Sequence, residues 1–205
     1  RLNDAWQIIV QPGPCHGVAI VALLYSTTFT LFPHYQALAT DRANESAANS
    51  FDISLLLTWT ITQHISVAVL SLLVGPIADR FGNRLAIKLL LFGSTISPIT
   101  AIALAQLPAE QMNDWFWLVF APLGFTPVTI KMLINYTLEM VPREEHPRYI
   151  SAIGICFALP VILGSTLVGW LIGQFGSVPI FALGASVLVM AGIKSFSLVE
   201  PRHEN

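Results

Sequence analysis

The chain has very little charge. Only 11% of its 205 residues are Asp, Glu, Lys or Arg, against 54% hydrophobic residues, whereas soluble domains average roughly 25% charged residues. Long uncharged runs extend over 5–40, 53–78, 89–109, 115–130 and 149–193. Most of them exceed the roughly 18 to 20 residues that a helix needs to cross a bilayer. The composition therefore excludes an ordinary soluble protein and indicates an integral membrane protein.

Other absences exclude further classes. The two cysteines, Cys15 and Cys156, are far apart and have neither disulfide-framework nor zinc-site spacing. The chain contains no HExxH, no GxSxG, no phosphate-binding loop, no basic-aromatic patch and no carboxylate pair within a membrane helix. We therefore expect no enzyme activity, no metal, no cofactor and no nucleic-acid partner.

The apolar runs predict an all-α membrane protein with six transmembrane helices. Their approximate limits are 17–39, 53–75, 86–106, 114–140, 149–172 and 178–199. The last two share one uncharged run, and the Gly and Pro of GQFGSVP, residues 173–179, mark the turn between them. Residues 1–16 form a lead-in and residues 200–205 a tail. Because the chain begins with Arg rather than Met, we expect it to be a piece of a longer protein.

The basic residues predict the orientation of these helices. An even number of spans places both termini on one side, which would carry Arg1, Arg80, Arg84, Lys88, Arg143, Arg148 and Arg202, against Arg42 alone on the other. The positive-inside rule makes the first side cytoplasmic. We expect the bacterial inner (plasma) membrane, with the lipid bilayer as the immediate partner.

A weak internal repeat links the two halves of the chain. LVGPIADRFG at 73–82 can be laid on LVGWLIGQFG at 167–176, with Leu, Val, Gly, Phe and Gly identical, and the same offset of 94 takes Pro33 to Pro127. Three helices thus repeat. Because three is odd, the second copy crosses the membrane in the opposite direction, as in the inverted 3+3 repeats of many secondary transporters.

The stretch GPIADRFGNR, residues 75–84, resembles the loop motif G-x-[LI]-x-D-R-x-G-R-[KR] of the major facilitator superfamily. The match is carried by Gly75, Ile77, Asp79, Arg80, Gly82 and Arg84, and Asn83 replaces the first basic residue of the closing pair. With six helices, the whole chain resembles the C-terminal six-helix half of a twelve-helix transporter of this family. The resemblance implies a missing N-terminal six-helix half as partner and a small-molecule substrate.

NYTLEMVPREEHPRYI, residues 135–150, also resembles the segment that follows the fourth helix of such a half. Glu139 and Pro142 match, whereas His146 stands where an arginine is expected and Arg148 follows two residues later. The resemblance implies a cytoplasmic latch that forms in one access state and breaks in the other. Its candidate members are Gly75, Asp79, Arg80, Gly82, Arg84, Glu139 and Arg148. The alternative is that these arginines only enforce topology.

Lys131 is the sharpest pathway candidate. It lies about nine residues, or roughly 13 Å, before the predicted end of its helix, and a lysine at that depth needs water or a partner. Lys131, Asn135 and Glu139 are spaced i, i+4, i+8 and share one helical face. That face is expected to line a cavity, where Lys131 binds an anionic group or relays a proton. The alternative is a structural pairing with a neighbouring helix.

His64, beside Gln63 in the second helix, is a second candidate for proton coupling, because histidine changes charge near neutral pH. The alternative is a hydrogen-bonded packing residue. Paired proline interruptions in two repeats point to a binding site, which adds Tyr35, Thr126 and Thr129 as weaker pathway candidates.

The leading hypothesis is part of a secondary active transporter that moves a small solute by alternating access, with proton coupling as one option. Two alternatives stay open. One is a half-size protein that homodimerises into a twelve-helix assembly, and the other is a non-transporting membrane scaffold or receptor with the same fold. Substrate, direction and coupling ion are not encoded in any recognisable motif.

Overall fold

The computed structural model describes residues 2–13, 15–45 and 54–199, and the regular secondary structure in these ranges is helical. Six helical stretches are long and apolar enough to cross a membrane. These spans 1 to 6 are His16–Arg42, Ser54–Phe81, Asn83–Leu104, Ala109–Glu139, Arg143–Phe175 and Ser177–Ser197. They confirm the predicted fold class. The predicted tail, 200–205, lies outside the described residues.

Spans 1, 3 and 4 are divided into shorter helices, and one further helix precedes span 1. The α-helices are α1 Leu2–Val10, α2 His16–Ser26, α3 Phe32–Glu45, α4 Ser54–Phe81, α5 Asn83–Ser94, α6 Ile96–Leu104, α7 Ala109–Trp115, α8 Trp117–Leu123, α9 Phe125–Glu139, α10 His146–Phe175 and α11 Ser177–Lys194. Short 3₁₀ segments cover Thr27–Leu31, Arg143–Glu145 and Ser195–Ser197.

Prolines account for three of the interruptions. A proline lacks the N–H that would bond to the carbonyl four residues earlier. Helix α5 accordingly ends four residues before Pro98, and α8 ends four residues before Pro127. In span 1 the 3₁₀ segment precedes Pro33, and there the hydroxyls of Thr27, Thr28 and Thr30 donate to carbonyls three residues earlier.

The second helix is longer than the sequence suggested. Helix α4 continues past 75 to Phe81, so that Gly75 lies inside a helix and is not a turn residue. The whole connection to α5 is Gly82, whose φ is +87°. This left-handed conformation, which glycine adopts without steric cost, is enough to redirect the chain.

The inverted repeat is visible in the backbone. Gly82 and Gly176, 94 residues apart, are the two residues with positive φ in the described ranges, at +87° and +81°. Helices end just before both glycines and begin again just after them. The same offset takes the 3₁₀ segment of span 1 onto the interruption at Gly124 in span 4.

Packing between the spans follows the same pseudo-symmetry. Span 1 packs on spans 5 and 6, and its repeat equivalent, span 4, packs on spans 2 and 3. Spans 2 and 5 are correspondingly the least covered, with 11% and 6% of the residues in their apolar stretches buried, against about half for spans 1, 3 and 4. The six-helix unit thus covers spans 1, 3 and 4 best and leaves the pair 2 and 5 largely open.

Candidate functional site

A polar face on spans 2 and 4 forms the candidate site. We use this name for the exposed side chains of His64 and Asp79 on span 2 and of Lys131, Asn135 and Glu139 on span 4. Both spans run in the same direction and pack side by side. We call the side of the bilayer where both of them end the motif side. There, Gly75, Asp79, Asn135 and Glu139 line one groove of about 430 Å³. The structure therefore brings together residues that the sequence singled out in two separate motifs.

Glu139 is joined to the loop motif through Asn83. The Asn83 side-chain N–H₂ donates to Glu139 Oε2 over 2.6 Å, and Asn83 itself is buried. This amide stands where the family motif has a basic residue, and its hydrogen bond to the carboxylate is charge-assisted. Sequence comparison with the motif marked Asn83 as a departure but did not identify it as the partner of Glu139.

The two arginines of the motif point to different surroundings. Arg80 is exposed, and its guanidinium carbon lies 5.3 Å from the centroid of the Phe81 ring. Arg84 instead donates from Nη2 to the Phe196 carbonyl over 2.5 Å. Arg84 therefore contacts the last described segment of the chain.

That last segment is held by three further contacts, which the sequence did not predict. The Lys88 ammonium lies 4.4 Å from the centroid of the Phe196 ring, and the Tyr136 hydroxyl donates to the Val199 carbonyl over 2.6 Å. Leu198 is buried in the core. We call residues 195–199, with these contacts to spans 3 and 4, the terminal clasp.

Arg148 lies at a different groove from Asp79 and Glu139. It is exposed near the start of span 5 and lines a groove of about 240 Å³ together with Gln7, Gln11, Cys15 and Tyr149. His146, which stands where the family has an arginine, has its Nε2 within 3.2 Å of the Val141 carbonyl. Neither side chain joins the Glu139–Asn83 pair in this conformation.

Lys131, Asn135 and Glu139 are all exposed and share one face of α9, as their spacing requires. No hydrogen bond or ion pair connects Lys131 or Asn135 to another side chain in the described part of the chain. The described residues therefore provide no structural pairing for Lys131 within this six-helix unit.

His64 is exposed and lies on the same face of α4 as Gly75 and Asp79. Residues on this face follow one another at intervals of four or seven, which are close to one and two helical turns. They are Thr60, His64, Ser71, Gly75 and Asp79. Its Nδ1 is 2.8 Å from the Thr60 carbonyl. Gln63 is half-buried. The polar face thus continues from the motif side into the middle of span 2.

Tyr35, Thr126 and Thr129 are buried and do not line the polar face. Tyr35 stacks on Phe181 with ring centroids 4.8 Å apart. Both threonines interact with the buried hydroxyl of Tyr25, which lies 3.3 Å from Ser94 Oγ. In this conformation the proline-linked candidates belong to the interior of the six-helix unit.

The two cysteines are buried. Burial raises the pKa of the Cys15 thiol, just before span 1, to about 11. At neutral pH Cys15 is therefore a neutral thiol, and a poor target for reagents that attack the thiolate.

Comparisons with known proteins agree with this architecture. Residues 15–205 match the family described as Major Facilitator Superfamily. The human protein solute carrier family 67 member A1 is 30% identical over 139 residues, which cover 64% of this chain and 31% of that protein. The chain thus spans about a third of the length of this curated relative. No solved structure matches the chain.

Proposed function

The chain belongs to the major facilitator superfamily, and on that premise we propose that it is the C-terminal six-helix half of a secondary active transporter that moves a small solute by alternating access. The family is one of transporters, not enzymes. The matched human protein is named a solute carrier, which supports the transport of a solute in general. The coupling and the solute itself are proposals about the whole protein.

The polar face of spans 2 and 4 carries this proposal. Exposed Lys131, Asn135 and His64 lie inside otherwise apolar membrane spans. Ionisable side chains within a membrane face a bundle interior or a water-filled cavity, because contact with lipid costs several kcal/mol. A second six-helix unit that covers this face would supply the cavity, and the pathway would run between the two units.

The groove at the motif side supports a latch that depends on the access state. Asp79 and Glu139 both line this groove, and the Asn83 amide donates a hydrogen bond to Glu139. Movement of either span end relative to Gly82 would change these contacts. Arg80 and Arg148, which are exposed in this state, are available to a partner unit. We propose that the latch closes one side of the pathway.

The orientation is proposed from charge. The motif side carries Arg80, Arg84, Lys88, Arg143 and Arg148 in the described residues, whereas Arg42 lies at the opposite end of span 1. The positive-inside rule then makes the motif side cytoplasmic. Helix α1, which packs on spans 1 and 5, fits a connecting segment from a preceding half. A bacterial inner membrane remains a prediction.

Proton coupling is proposed through His64 and Lys131, the ionisable side chains on the polar face between its two ends. Tyr35, Thr126 and Thr129 are retained as pathway candidates only for a conformation in which spans 1 and 4 rotate. Their burial in this conformation favours a packing role.

Flux through the full-length protein tests the proposal. The protein that contains this chain is reconstituted into proteoliposomes, and uptake of a broad panel of small solutes is measured with and without an imposed proton gradient. Saturable uptake is expected, and a dependence on the gradient would establish coupling. Absence of flux for every solute would favour a scaffold or receptor with the same fold. The coding sequence upstream of Arg1 distinguishes the two arrangements. Six further spans there would indicate two halves in one chain, and a nearby start would indicate a half-size protein that homodimerises.

A further inference from the structure

We infer that the transported solute carries an anionic group and that Lys131 and Asn135 together receive it. This inference rests on the proposed function and names its substrate class. It is supported by two hydrogen-bond donors, side by side on the open face of a membrane span, that have no acceptor among the described residues.

The charge of Lys131 is isolated from the described acidic residues. Glu139 lies eight residues further along α9, about 12 Å along the helix axis, and already accepts a hydrogen bond from Asn83. Asp79 lines the same groove as Glu139, near the end of span 2. Glu110 and Asp114 are at the opposite end of span 4. The middle of the spans thus holds a cation without a carboxylate in the described part of the chain.

Asn135 lies one helical turn from Lys131 on the same face, where side chains four residues apart are neighbours. Its amide, like the Lys131 ammonium, has no hydrogen bond to another described residue. An ammonium and an amide N–H₂ at this separation can donate to the two oxygens of one carboxylate, or to one phosphate or sulfonate. Charge-assisted bonds of this kind are the stronger class of hydrogen bond.

Open space is available beside Asn135. The groove of about 430 Å³ reaches Asn135 from the motif side, and ligand sites for small molecules occupy about 300–1,000 Å³. The groove also has apolar walls, to which Met132 and Leu138 contribute. Asp79 and Glu139 also line this groove, so the anionic group would lie towards Lys131 and an apolar body along the walls. An organic acid with one charged end and a modest apolar body fits this arrangement better than an inorganic ion.

The acceptor for the Lys131 and Asn135 donors is either a carboxylate of the other half or a group of the solute. Transport selectivity distinguishes these two cases. Full-length protein in proteoliposomes is tested with organic acids, their uncharged methyl esters and matched amines. We expect uptake of at least one acid in preference to its ester and amine. Lys131→Gln should lower that uptake about tenfold or more, as for the loss of one charge-assisted hydrogen bond. Lys131→Arg should retain most of it.

Lys194→Gln is the matched control, because Lys194 lies at the end of span 6, away from the polar face. Acid uptake by this variant should be unchanged.

A second test restores the charge at residue 131 chemically. Lys131→Cys, treated with an aminoethyl thiosulfonate, should regain acid uptake, whereas a neutral methyl reagent should not restore it. The buried native thiols are checked by treating the wild-type protein in the same way.

Three outcomes would overturn the inference. If Lys131→Gln lowered the uptake of acids, esters and amines alike, the acceptor would be a carboxylate of the protein. If the wild type carried only neutral or cationic solutes and Lys131→Gln had no effect, transport would stand and the substrate class would be wrong. If the wild type carried no solute at all, the proposed function would fall as well.

Discussion

At the residue scale, Asn83 replaces a basic residue of the family motif and joins that motif to Glu139. Asn83 occupies a position that is basic in the motif, and its amide nevertheless reaches Glu139 over 2.6 Å. The sequence could indicate that both motifs lie at one end of neighbouring spans. It could not show that Asn83 makes the contact with Glu139. Helix α4 continues through Gly75 to Phe81, and this changes the direction in which the side chains after Gly75 point.

Asn83→Asp should destabilise the protein, because it places a second carboxylate against Glu139 at a buried position. A lost charge-assisted hydrogen bond with added repulsion corresponds to about 1–3 kcal/mol. Asn83→Lys, which restores the basic residue of the motif, should be tolerated. Thermal unfolding of the purified protein in detergent measures both, and equal melting temperatures for the two variants would contradict the pairing.

Gly82→Ala and Gly176→Ala should each lower stability by about 1–2 kcal/mol, because an alanine at positive φ is strained. Gly173→Ala is the matched control, since it lies inside α10 and an added Cβ there meets open space. Alanine should stabilise that helix by about 0.5–1 kcal/mol. The same thermal assay ranks the three variants, and a tolerated alanine at either connection would show that the turn has another conformation.

At the element scale, the inverted repeat was predictable, whereas the faces of the helices were predictable only where spaced polar residues mark them. The offset of 94 residues came from five identical letters, and the backbone repeats it at Gly82 and Gly176. Helices that are apolar on all sides carry little amphipathic signal, so the sequence could not indicate which residues point inward. Tyr35, Thr126 and Thr129 are buried although the sequence suggested a pathway role, whereas Lys131 and Asn135 share one exposed face, as their spacing indicated.

The terminal clasp is an element-scale feature whose partners are more than 60 residues apart in the chain. Tyr136→Phe removes the donor to the Val199 carbonyl and should speed amide hydrogen exchange across residues 195–199 by roughly two- to twelvefold, as expected for about 0.5–1.5 kcal/mol. Tyr149→Phe, at the other groove, is the control. Unchanged exchange in the clasp of Tyr136→Phe would mean that Arg84 and Lys88 hold the segment without it.

At the scale of the whole molecule, the six spans and the family were accessible from sequence because hydropathy and the loop motif are local signals. The uneven cover of the spans was not, because it depends on how helices far apart in the chain pack. Spans 2 and 5 are open in this six-helix unit, and the polar face lies on span 2 and its neighbour, span 4. The central claim is that water, and not lipid, covers this face in the complete protein.

Cysteine accessibility tests that claim most directly. Asn135→Cys and Leu89→Cys are compared, both exposed in this half and both within roughly 6–9 Å of the motif side by helical rise. Leu89 lies on span 3, among apolar side chains. In the full-length protein in membranes, a hydrophilic maleimide should label residue 135 at least about tenfold faster than residue 89, because thiols react as thiolates in water. Equal, slow labelling at both positions would contradict a water-filled pathway along spans 2 and 4.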